Sequence, residues 1–168
     1  MGRSGDCEPA VMADDTFLQL LGEITVESSV VEYSAAYYVS YARHRSDKEV
    51  AEILIRPGGA RTALRKYMQE CQKAGDISTE YHARLVEMES RMSAALLERH
   101  RLVHAVEVLR MAPGLPDPEK VLWHPKTNIN LRVTEDDLRR IISELRHVSG
   151  LFIRGRINAA PLRGPESS

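Results

Sequence analysis

The stretch DDTFLQLLGEITVESSVVEYSAAYYVSYAR, residues 14–43, decides the fold class. It holds no proline, and its one glycine, Gly22, does not interrupt the pattern. Phe17, Leu21, Ile24, Ser28, Val31, Ala35, Tyr38 and Ala42 recur at steps of three and four, the apolar stripe of a long amphipathic helix. Its middle is β-branched (Thr25, Val26, Val30, Val31), so a strand competes locally. The length of the run without a turn signal decides for helix. Asp14 or Asp15 can cap its start.

Working outward, residues 1–13 read as a flexible polar head. Ser46 to Glu49 has the spacing of a capping box and opens a short helix with Val50, Ile53 and Leu54 facing inward. Pro57-Gly58-Gly59 ends it. A third helix runs from about Ala60 to Ala74, with Ala60, Leu64, Tyr67 and Cys71 on one face and Gly75-Asp76 as its stop. Ser78 caps a fourth, expected from Thr79 to Leu109, whose stripe is Tyr81, Leu85, Met88, Met92, Ala95, Leu102, Val106 and Leu109. A loop rich in proline and glycine follows. Val121–His124 and Asn128–Val133 then flank Pro125-Lys126-Thr127 as a small β-hairpin. Thr134 and Asp137 cap a last helix with Leu138, Ile141, Ile142, Leu145, Val148 and Phe152 inward. The expected fold is all-α: an up-and-down bundle of roughly four to five helices with a minor β element. A single domain spans 14–153, and 154–168 form a flexible tail.

Composition narrows the function classes. A length of 168 residues suits one domain with a moderate core. A formal net charge of −1 excludes a polybasic nucleic-acid binder, so any nucleic-acid contact must come from a local patch. Cys7 and Cys71 are far apart and do not suggest a disulfide framework, in keeping with a reducing cytosol. No stretch approaches the ~20 apolar residues of a membrane span. The first residues lack the apolar core of a signal peptide. A cytoplasmic protein without membrane contact is the expectation.

The fourth helix carries the chemistry. Within Glu98-Arg99-His100-Arg101-Leu102-Val103-His104, Arg99 stands at a step where the stripe calls for an apolar residue. His100 and His104, four apart, share a face. Arg99 points about 140° from His104, though its long side chain can swing toward it. An arginine and two imidazoles in a core-like helix cost desolvation unless they find partners or a task. One reading is structural: Arg99 pairs with a carboxylate of another helix, Glu27 or Glu32, and the histidines are solvated. A metal reading uses His100 and His104 as an i, i+4 pair, with Glu107, His82 or His147 as third ligand. Arg101 stands where zinc peptidases place their glutamate base, and a cation there repels a metal. A third reading is metal-free phosphodiester chemistry. Histidine can act as base or acid near neutrality, and arginine grips a charged phosphorane.

Arg99-His100-Arg101-Leu102-Val103-His104 resembles the signature of the HEPN superfamily: an arginine, then Asn, Asp or His, three further residues and a histidine. The placement resembles it too, late in a long helix of a small bundle that opens with a long helix; the architectural match runs from about 14 to 152. The resemblance implies a metal-independent endoribonuclease of toxin or antiviral-defence type, with two subunits facing their motifs across a shared cleft. It implies RNA as substrate, a homodimer, no cofactor and no metal. A cognate antitoxin or defence-complex subunit is an optional partner. Arg99 would bind phosphate, His104 would transfer protons, and His100 would orient beside Arg99. Some HEPN proteins are inactive, so the alternative is a catalytically silent binding or regulatory subunit. Val106 stands where one toxin branch carries a tyrosine that its antitoxin modifies, which argues against that control here. Beyond the motif, Glu32 is the candidate auxiliary group. Tyr33, Tyr37, Tyr38 and Tyr41 read as core and dimer-face residues rather than RNA-stacking platforms, and Trp123 and His124 as candidates for the cleft or an interface.

Overall fold

The computed structural model describes residues 15–44, 46–75, 77–104, 106–110, 119–124, 129–131 and 133–157, those between 106 and 131 as backbone only. The helices are α1 (Asp15–Ala42), α2 (Asp47–Ile55), α3 (Gly59–Ala74), α4 (Thr79–Val103) and α5 (Glu135–Ile157). Every buried residue among those described lies in one of these helices, so the core is all-α.

The core follows the stripes. Along α1, Ile24, Ser28, Val31, Ala35, Tyr38 and Ala42 are buried as expected, Phe17 and Leu21 only partly, with Leu20 taking the buried place at the start, and α1 packs against each of the other four helices. Burial against four neighbours overrides the strand preference of its valines. Ala60, Leu64, Tyr67 and Cys71 of α3 are buried, as are Leu138, Ile141, Ile142, Leu145, Val148 and Phe152 of α5. Inside, the Tyr81 hydroxyl shares hydrogen bonds with Tyr38 (2.7 Å) and Tyr67 (3.0 Å). Burial first, and the Tyr81 hydrogen bond second, push the Tyr38 and Tyr67 phenols up, so both stay neutral.

Four local expectations change. The Ser46 side chain makes no capping bond: the Glu49 N–H donates to the Ser46 carbonyl at 2.9 Å, and the Glu49 carboxylate lies 3.7 Å from Arg43. Leu54, expected inward, is exposed, while Val50 and Ile53 carry the inner face of α2. The fourth helix stops at Val103 rather than Leu109, and Val106–Arg110 is a strand, β1. Val106 and Leu109 satisfy the helical period, but Val106-Glu107-Val108 also alternates and is β-branched, and the strand reading prevails. β1 pairs antiparallel with β2 (Glu119–His124), with Val108 opposite Val121, and β2 with β3 (Ile129–Leu131), with Trp123 opposite Asn130. The expected turn at Pro125-Lys126-Thr127, the 1–13 head and Cys7 lie outside the described residues. So do the side chains of Trp123 and His124. Helix α5 continues to Ile157, past Arg154 where the tail was expected; 158–168 are not described.

Two of the three other capping expectations hold; Asp14, which would cap α1, lies outside the described residues and Asp15 is the first residue of the helix. Ser78 accepts a hydrogen bond from the Tyr81 backbone N–H at 3.1 Å. Thr134 and Asp137 satisfy each other: the Asp137 N–H donates to the Thr134 hydroxyl (3.2 Å), and Asp137 Oδ2 accepts from the Thr134 N–H (3.1 Å) and hydroxyl (2.8 Å). Among the described residues, no helix is long and apolar enough to cross a membrane.

Candidate active site

The last turn of α4 presents the motif. Ala95 and Leu102 are buried on either side of Arg99, which holds this part of the helix against the bundle. Arg99 therefore cannot leave the interior completely. It is half-buried, and its Nε is sealed from solvent without a hydrogen-bond partner. Neither expected carboxylate neutralises it. Glu27 instead accepts from Arg146 Nε at 2.8 Å, and Glu32 forms no ion pair with Arg99 among the described residues.

Arg99 and His100 line a cavity of about 520 Å³. Ser28 and Glu32 of α1 form one wall, Leu54, Arg56, Gly58, Gly59 and Arg61 at the α2–α3 corner another, and Leu96, Leu97, Arg99 and His100 of α4 the third. The sequence-derived candidates Arg99, His100 and Glu32 thus meet in one space. His104 does not line it. Exposed at the C-cap of α4, it keeps its backbone N–H bonded to the His100 carbonyl at 3.2 Å. Its ring lies edge-on to that of His100, centroids 4.3 Å apart. His100 therefore bridges the cavity and His104. The basic residues His100 and Arg101 in the last helical turn suit the negative end of the α4 dipole.

The cavity lining is cationic. Arg56, Arg61 and Arg99 outweigh the single carboxylate, Glu32. Arg56 and Arg61 carry no local signal of a site: they flank Pro57-Gly58-Gly59, which reads only as a turn. That turn brings them in. Gly58 (φ 77°) and Gly59 (φ 45°) take left-handed conformations, and a Cβ on Gly58 would meet Thr62 Oγ1 at 2.2 Å. This backbone favours glycine and lets α3 start directly behind Arg56.

Such a site can hold an anion by arginine and present imidazole beside it. No group of three His, Cys, Asp or Glu suited to a metal occurs among the described residues. Of the three named candidates for a third ligand, His82 bonds Gln72 (2.6 Å) near the opposite end of α4, His147 is exposed on α5, and the Glu107 side chain is not described. No protein-family model matches the chain, no curated protein matches it, and no solved structure matches it.

Proposed function

We propose that this protein is a metal-independent endoribonuclease of HEPN type. The observation that carries the reading is the unpartnered Arg99 Nε beside a cationic cavity, with His104 reached through His100. A guanidinium nitrogen sealed from solvent without an acceptor is costly in the free protein, and an incoming phosphate would supply the missing partner. The motif and its position late in α4 support the same assignment.

In this reading Arg99 grips the scissile phosphate and His100 orients beside it. One His104 takes the proton of the ribose 2′-OH. The 2′-oxygen attacks phosphorus, and the bond to the 5′-oxygen breaks. The leaving oxygen takes a proton from the His104 of a second copy, leaving a 2′,3′-cyclic phosphate and a free 5′-OH. Glu32 lies across the cavity from α4, where it can receive a donor group of the ribose or a base. The homodimer would bring the two motifs together through the apolar groups around them, Leu97 and Val103, which are exposed on α4. A cognate antitoxin or defence-complex subunit would act by covering this mouth.

The test is cleavage of single-stranded RNA in EDTA, with the ends analysed. The expected result is cyclic-phosphate ends and intact DNA, which lacks the 2′-OH. His104→Ala is expected to lower the rate by roughly 10²–10⁴-fold, and Arg99→Ala by a comparable factor. Cleavage unaffected by His104→Ala would sink the assignment. Tight RNA binding without cleavage would instead identify the catalytically silent binding subunit.

A further inference from the structure

We propose that Arg56 and Arg61 form a second phosphodiester subsite, which holds a non-reacting phosphate of a single strand whose neighbouring phosphate lies at Arg99. The inference rests on the ribonuclease reading for the identity of the polyanion. Its own support is the shape and charge of the α2–α3 corner.

The cavity is too large for one phosphate: about 520 Å³ falls within the range of roughly 300–1,000 Å³ typical of pockets for larger ligands. Its cations also come from two separate elements, Arg99 from α4, and Arg56 and Arg61 from the corner. A single phosphate needs one arginine fork; cations on opposite walls suit an extended polyanion.

The ion-pair pattern points the same way. Arg43, Arg65, Arg84, Arg91, Arg101, Arg139, Arg140 and Arg146 all engage carboxylates. Arg61 and Arg99, which share this cavity, form no ion pair among the described residues; outside the cavity, Arg154 of α5 likewise forms none. Arg56 has only Glu52, 3.2 Å away on its own helix face, and both side chains are largely in solvent. Such a pair is weak and gives way readily to a phosphate.

Arg56 also faces a second cavity of about 260 Å³, which Thr62, Lys66 and Arg43 line as well, with one carboxylate, Glu49, 3.7 Å from Arg43. Positive charge therefore continues from Arg99 through Arg61 and Arg56 to Lys66. A track of this kind follows a flexible backbone and not a rigid duplex, so the ligand is a single strand.

The experiment measures binding of 2′-O-methyl oligoribonucleotides, which cannot undergo transesterification, by fluorescence anisotropy across a salt series. Short strands with one phosphodiester are compared with longer ones, on the wild type and the Arg56→Gln/Arg61→Gln double variant. Both residues are exposed, so the fold is expected to survive, and a thermal melt checks it. The wild type is expected to gain affinity with length, and the double variant to lose most of that gain. Its log–log salt slope should fall by roughly 0.7 per lost phosphate contact. An unchanged slope and affinity in the double variant overturn the subsite, as does a wild type indifferent to strand length. The ribonuclease reading fails separately, through absent cleavage of unmodified RNA or indifference to His104→Ala.

Discussion

Arg99 shows how far a single residue can be read. Its place in the α4 stripe made it conspicuous, because a charged group stood where Ala95 and Leu102 call for a core neighbour. The environment was not legible. An interhelical ion pair was the simplest structural expectation, yet Glu27 is taken by Arg146 and the Arg99 Nε is left without a partner. Arg56 and Arg61 were not legible at all, since their proximity to α4 is a tertiary fact with no local period. A stability prediction follows from the unpartnered nitrogen. A structural ion-pair arginine destabilises the fold when removed. Arg99→Met, which keeps the alkyl bulk and removes the orphan donor, is expected to leave stability unchanged or raise it by up to about 1 kcal/mol. RNA cleavage should fall in the same variant. Chemical denaturation beside an activity assay reads both. A loss of several kcal/mol would make Arg99 a structural residue.

The elements were legible where one period dominates and an end is marked. α3 and α5 have single stripes, and α5 has its Thr134–Asp137 box at the start, though its far end was set at Arg154, short of Ile157. The end of α4 was not, because Val106 fits both the helical step to Leu109 and the alternation with Val108, and no glycine or proline separates Val103 from Val106. The α5 box carries its own prediction. Hydrogen bonds from Thr134, first from its backbone N–H and then from its hydroxyl, hold the Asp137 carboxyl below its ordinary value. The carboxylate is thus favoured in the folded state. Its contribution is complete above the unfolded-state value of about 3.9 and is lost as pH falls through the lower folded value. Thr134→Ala should cost about 1 kcal/mol at neutral pH, the usual effect of losing an N-cap side chain. Asp137→Asn should melt below the wild type at neutral pH, and the gap should close as the solution is acidified below about pH 4. A gap that widens on acidification would contradict this account of the cap.

At the scale of the molecule, the all-α core was legible from the α1 stripe onward, but its outer surface was not. The same sequence supplies two exposed apolar faces. On α4 they are Leu97 (58% exposed) and Val103 (40%), on either side of His100. On the outer side of α1, Val26 (62%), Val30 (39%) and Tyr33 (53%) repeat at steps of four and three, with Tyr33 stacked on Tyr37. Helical periodicity alone cannot rank these faces, because both follow helical steps, on α4 through His100, and one bundle leaves both uncovered. The proposed ribonuclease function ranks them. A catalytic site shared by two copies needs the α4 faces together, and a two-fold axis there would set each His104 opposite its counterpart. Leu97→Asp would bury two like charges in that interface and should convert a dimer to monomers in light scattering at micromolar concentration. Val30→Asp should leave both the mass and the cleavage unchanged. The reverse pattern, with Val30→Asp alone yielding monomers, would place the interface along α1 and hold the motifs apart. A wild type that is already monomeric would remove the shared cleft and, with it, the need for two copies of His104.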